Sequence, residues 1–150
     1  MPNVILVGPS ASGKTHIAHR IAGLDPPRET GPTTRIDFLT CEVQGRRITV
    51  WDTPACVEAR LPDIAAPLLD DCNFVVICYD GRREWTPVCF IDGNIPSKCI
   101  VVVALTRINA FNLPFSIESF DFVDRFGNMV PIFMCNSSVR GITQYILSNS

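Results

Sequence analysis

Gly8-Pro9-Ser10-Ala11-Ser12-Gly13-Lys14-Thr15 lies between an uninterrupted apolar run, residues 4–7, and an amphipathic stretch, residues 14–22, whose Ile17, Ala18, Ile21 and Ala22 share one face. Few folds accommodate that order. Val4, Ile5, Leu6 and Val7 read as a strand covered on both sides, and the apolar stripe after the loop reads as a helix docked against it. A buried strand that passes through a glycine-bounded loop into a helix is the opening of a βαβ unit, and such units build parallel sheets.

The remainder of the chain repeats the alternation. Residues 36–43, 48–51, 74–79, 100–105 and 130–134 are further strand candidates, several of them almost pure Val and Ile. The first two of these are joined by little more than Gln44-Gly45, too short for a crossover helix, so they form an antiparallel hairpin. Helices are expected over residues 116–126, with Ser116 as cap and Gly127 as stop, and over residues 139–147. Residues 54–71 carry a helical pattern broken by Pro62 and Pro67, and residues 82–91 suffice for one short helix. The expectation is an α/β domain over residues 1–150 with a mixed, mostly parallel six-stranded sheet, one antiparallel hairpin, and helices on both faces.

At 150 residues, 47% of them apolar, the chain has the size and composition of a single domain. Its net charge of -2 argues against a general nucleic-acid or membrane-surface binder. The seven cysteines, at 41, 56, 72, 78, 89, 99 and 135, form no C-x-x-C pair and several sit in apolar runs, as reduced core thiols of a cytoplasmic protein do. No apolar stretch nears the roughly 20 residues of a membrane span. Pro2 excludes myristoylation and the ending ILSNS holds no prenylation cysteine, so no direct membrane anchor is expected.

The opening loop carries chemistry as well as shape. Gly8, Gly13, Lys14 and Thr15 fit G-x-x-x-x-G-K-[ST] in the strand-loop-helix setting that the motif requires. Backbone N–H groups from Gly8 through Ser10, Ala11 and Ser12 to Gly13 are expected to curl around phosphate oxygens, with the positive end of the next helix behind them. Lys14 brings a full charge to the β- and γ-phosphates, and Thr15 a hydroxyl to Mg²⁺. Asp52, ending a strand, is placed to hold the same ion through a water. His16 and His19 have no acidic or cysteine companion in a ligand pattern and read as exposed helix residues.

With Thr33 in GPTTRIDF and Asp52-Thr53-Pro54-Ala55 added, the chain resembles the Ras-like small GTPases, most closely the Rab-type ones, over almost its whole length. The resemblance implies a P-loop fold, Mg²⁺, and GTP or GDP. It implies that Thr33 joins Thr15 and Asp52 at the metal and that Ala55 stands at the glycine of D-x-x-G. Thr106, Arg107 and Asn109 fall on the base-reading motif, and Ser137 and Ser138, within Cys135 to Ser138, on the last base loop. Protein effectors or regulators would meet the surfaces from Arg35 to Leu39 and from Ala55 to Leu69.

Several positions depart from that family. Ala55 adds a Cβ where the family's glycine swings, and Cys56 stands where a glutamine orients the attacking water, so intrinsic hydrolysis is expected to be slow. Residues 24–31, LDPPRETG, bring no aromatic to the base, and the third helix is short. Asn109 replaces an aspartate that would accept both guanine donors; its amide suits the xanthine edge, so XTP should gain on GTP. Two other functions fit parts of the chain. One is a pseudo-GTPase scaffold or decoy that works without nucleotide turnover. The other is a P-loop nucleoside or nucleotide kinase, for which Arg82 and Arg83 make a poor lid.

Overall fold

In a computed structural model, the described residues are 2–8, 13–26, 35–54, 66–80, 95–96, 98–106, 130–135 and 139–150. They form β1 (Asn3–Val7), α1 (Lys14–Ile21), β2 (Asp37–Val43), β3 (Arg46–Asp52), a 3₁₀ helix (Ala66–Asp71), β4 (Phe74–Asp80), β5 (Ile100–Thr106), β6 (Ile132–Met134) and α2 (Arg140–Ser148). The helix expected over residues 116–126 and the segments 55–65 and 82–91 lie outside the described residues.

The six strands make one sheet in the order β2-β3-β1-β4-β5-β6. Every neighbouring pair is parallel except β2 and β3, which form the expected hairpin. Its two-residue turn gives Gln44 a φ of 51° and Gly45 a φ of 78°. Positive φ at both positions matches the right-handed twist of the flanking strands, and the ladder closes up to Val43 opposite Arg46. β3 therefore begins two residues earlier than its apolar run and continues through Asp52. β6 is shorter than expected because Pro131 has no N–H to donate; its carbonyl instead accepts from Val103 N at 2.9 Å.

Side chains alternate between two cores, as the pleat requires. Val4 and Leu6 of β1, Ile48 and Val50 of β3, and Phe74, Val76 and Cys78 of β4 share one core with Ile17, Ala18 and Ile21 of α1 and Ile142 and Ile146 of α2. The opposite face packs Ile5, Val7, Trp51, Val75, Ile77, Val103 and Leu105 against Leu69, Ile95 and Val130. Both described α-helices thus lie on one face, and the 3₁₀ helix lies on the other. Leu69, the far end of the second expected partner surface, is 2% exposed and belongs to the core, because the 3₁₀ helix turns it inward.

α2 runs back toward the hairpin, where Arg46 donates to the carbonyl of Leu147 at 2.6 Å and joins Ser150 Oγ, which donates to the same carbonyl at 3.2 Å, in satisfying the helix end. Among the described residues no helix is long and apolar enough to cross a membrane. Ile142 is fully buried between α2 and the sheet, so Ile142→Ala should destabilise the fold by about 2–5 kcal/mol through lost transfer energy and the cavity left behind. Urea unfolding of the two proteins measures the difference.

Candidate functional site

Because β1, β3, β4 and β5 are mutually parallel, their carboxyl ends share one edge of the sheet. Polar side chains with almost no exposure gather there: Asp52 at the end of β3 and Thr53 just after it, Asp80 at the end of β4, Thr106 at the end of β5, and Lys14 at the start of α1. β1 is flanked by β3 and β4, so the strand order reverses around it, the position at which open α/β sheets leave a crevice outside their carboxyl ends.

α1 enters this edge through Gly13, whose φ of 87° is left-handed. A side chain there would be strained, and its Cβ would also stand 3.2 Å from Thr106 Cγ2. Glycine at this point leaves room for Thr106 at the end of β5, so residues from opposite halves of the chain come close there. No side chain caps the helix and no acidic residue sits in its first turn. Its leading N–H groups and Lys14 therefore present positive potential on the same edge.

Thr15 Oγ1 donates to Asp52 Oδ2 at 2.7 Å. The other carboxylate oxygen, Oδ1, is buried and has no hydrogen-bond partner. Burial raises the Asp52 pKa above its ordinary 3.8; the Thr15 hydroxyl and the Lys14 charge oppose that rise, and Asp37, opposite Asp52 in the hairpin, adds to it. Thr53 Oγ1 donates to the Leu6 carbonyl at 2.6 Å and pins the chain leaving β3 onto β1.

A hydroxyl and a carboxylate are hard oxygen donors. Together with the unpartnered Oδ1 they fit Mg²⁺, which binds through one or two protein oxygens and fills its shell with water and phosphate. Among the described residues no group of three or more His, Cys, Asp or Glu forms an all-protein metal cage. His16 is exposed, as expected, whereas His19 is half-buried and its Nδ1 lies 2.7 Å from the Thr15 carbonyl. Cys135 is buried and its thiol is pushed up to about 11, so it serves the core.

Of the residues singled out in the sequence, the edge brings together Gly13, Lys14, Thr15, Asp52 and Thr106, with Gly8 following β1. Ser10, Ala11, Ser12, Thr33, Ala55, Cys56, Arg107, Asn109, Ser137 and Ser138 lie outside the described residues. Sequence reasoning passed over Thr53 and Asp80. Asp80 could have been found as a lone acid closing the apolar run FVVICY, in the same relation to its strand as Asp52.

The chain matches no protein-family description and no curated protein.

The raised pKa of Asp52 gives a signed expectation. A carboxyl whose folded pKa lies above its unfolded one adds stability in full below the unfolded value and loses it as pH rises through the folded value. In metal-free buffer, Asp52→Asn should therefore gain stability relative to wild type as pH climbs from 3.8, and the gap should level off above the raised value. Urea midpoints of both proteins across that range measure it; a constant gap would remove the desolvated charge from the site.

Proposed function

We propose that this chain is a small-GTPase-like protein of P-loop fold that binds a purine nucleotide with Mg²⁺ and hydrolyses it slowly. The Thr15–Asp52 contact with its unpartnered, buried Oδ1 carries the reading. It lies beside buried Lys14 at the edge where the strand order reverses. The sequence GPSASGKT, the antiparallel β2–β3 hairpin and the packing of Thr106 where a Gly13 side chain would stand support the same reading.

In this reading the loop from Gly8 to Gly13 binds the β-phosphate through main-chain N–H groups, and Lys14 spans the β- and γ-oxygens. Thr15 would hold Mg²⁺ directly, joined by Thr33, while Asp52 holds it through a water; the ion supplies positive charge against the phosphates. With Thr106 close to Gly13, Arg107 and Asn109 after it would be the residues to meet the purine. Arg107 lays its planar group along any purine, and Asn109 offers one acceptor and one donor where guanine calls for two acceptors. Cys56 cannot align water as an amide does, and Ala55 restricts the backbone beside it. Unassisted turnover is therefore expected on the order of 10⁻⁴ s⁻¹ or below.

A partner surface is supported at β2, from Arg35 to Leu39. β2 is an edge strand, and Phe38 stays 58% exposed while its ring meets Trp51 edge-on, with centroids 5.9 Å apart. An exposed aromatic braced from behind, next to the exposed Arg35–Asp37 ion pair at 3.5 Å, suits a protein contact.

Two measurements test the proposal. Lys14→Ala should weaken nucleotide binding roughly tenfold to a hundredfold, the worth of a charge-assisted contact, and unchanged affinity by titration would refute the phosphate reading. In competition titrations with Mg²⁺ the wild type should discriminate poorly among GTP, XTP and ATP, and Asn109→Asp should recover GTP preference by about tenfold or more. Tight, selective GTP binding by the wild type would remove Asn109 from the base.

A further inference from the structure

The amino-terminal edge of the sheet, opposite the candidate nucleotide site, holds two thiols that none of the chemistry above uses. Cys72 follows the 3₁₀ helix and stands just ahead of β4, and Cys99 stands just ahead of β5. The parallel ladder between these strands starts at Phe74 opposite Ile100 and is anchored by Ile100 N donating to the Asn73 carbonyl at 2.9 Å. Cys72 N donates to the Leu69 carbonyl and Cys99 N to the Pro96 carbonyl, so main-chain bonds hold both residues. Their Sγ atoms are 3.1 Å apart. A disulfide bond is about 2.05 Å long, so the sulfurs stand roughly 1 Å beyond bonding distance on a backbone already in place.

We propose that Cys72 and Cys99 are a dithiol that hydrogen peroxide converts to a reversible disulfide, a redox-responsive clamp on the amino ends of β4 and β5. Cys99 is half-buried and Cys72 is 1% exposed, so the oxidant reaches Cys99 first. The Cys99 sulfur takes one oxygen from the peroxide, giving a sulfenic acid and one water. The Cys72 sulfur then attacks the Cys99 sulfur, the S–O bond breaks, and the oxygen leaves as a second water with the Cys72 thiol proton and the sulfenic proton. Two thiols and one peroxide become one disulfide and two waters, with two electrons passing from sulfur to oxygen.

The surroundings favour a persistent reduced form that oxidation can still capture. Cys72 Sγ–H points to the Leu69 carbonyl at 3.3 Å, and Cys99 Sγ lies 3.2 Å from the Cys72 carbonyl. Burial and the neighbouring Cys99 raise the Cys72 pKa, and Lys98, whose ammonium donates to the Asp70 carbonyl, works against that rise. A protonated thiol is a slow nucleophile, so the pair stays reduced until an oxidant makes the Cys99 sulfur electrophilic, with the Cys72 sulfur already 3.1 Å away to attack it.

The clamp would enclose β4 and the chain on to β5, which restricts the unfolded ensemble and raises stability. It lies at the edge away from Lys14, Thr15 and Asp52, so it stands whether or not the nucleotide reading does. The test uses the full chain, reduced and then treated with hydrogen peroxide, with residual thiols alkylated before peptide mapping. Cys72 and Cys99 peptides should appear joined, with loss of two hydrogens, reversibly with dithiothreitol, and the thermal midpoint should rise by about 5 °C or more. Cys99→Ser should lose both the joined peptide and the rise, while Cys41→Ser keeps both. Should Cys99→Ser fail to fold, the wild-type map decides alone. Separately alkylated Cys72 and Cys99 after peroxide, their joining to other cysteines instead, or joining that needs urea would each overturn the proposal.

Discussion

Burial of β1 and β4 on both faces governs where chemistry can reside in this molecule. Val4 to Val7 and Val75 to Cys78 have no exposure at all, and an uncompensated polar group among them would cost several kcal/mol. Polar side chains on these strands are therefore confined to the strand ends. Asp80 obeys that rule at the carboxyl end of β4, the ends of β3 and β5 bring Asp52, Thr53 and Thr106 to the same edge, and α1 adds Lys14 and Thr15 by starting there.

Asp52 concentrates the energetic tension of that edge. A hydrogen bond to a charged group stabilises by about 1.5–3 kcal/mol, and an unsatisfied buried oxygen costs about 1–3 kcal/mol. The Thr15 bond and the bare Oδ1 thus nearly cancel, leaving burial to lift the pKa. A carboxylate kept at such balance does little for stability by itself. It would gain from a bound cation, since the desolvation has already been met in folding and the added Coulomb attraction would act in a poorly screened place.

How much of this was legible in the sequence follows from which forces are local. β4 and β5 could be read because doubly covered strands write themselves as continuous apolar runs, and the hairpin because Gln44-Gly45 leaves room for one kind of turn. Lys14, Thr15 and Asp52 were legible as motif positions, although the meeting of Thr15 and Asp52 at 2.7 Å is a property of the parallel sheet. Leu69 was misread as surface because a proline-broken segment hides which way its next turn faces. The same limit applied to sulfur. Spacing rules find C-x-x-C, but Cys72 and Cys99 meet through the register of β4 on β5, which local spacing does not encode.

The two edges of the sheet are joined by strands that pair along seven positions each, from Phe74 opposite Ile100 to Asp80 opposite Thr106. A covalent tie at one edge of so continuous a ladder has little freedom left to remove from the native state at the other. Its effect would fall on the unfolded chain, whereas a ligand bound at the carboxyl edge would act on the native state. Stabilisations that act on different states and share no side chain add with little coupling. The proposed clamp and the proposed anion site would therefore leave each other's affinity unchanged, an independence that comes from the doubly buried strands between the two edges.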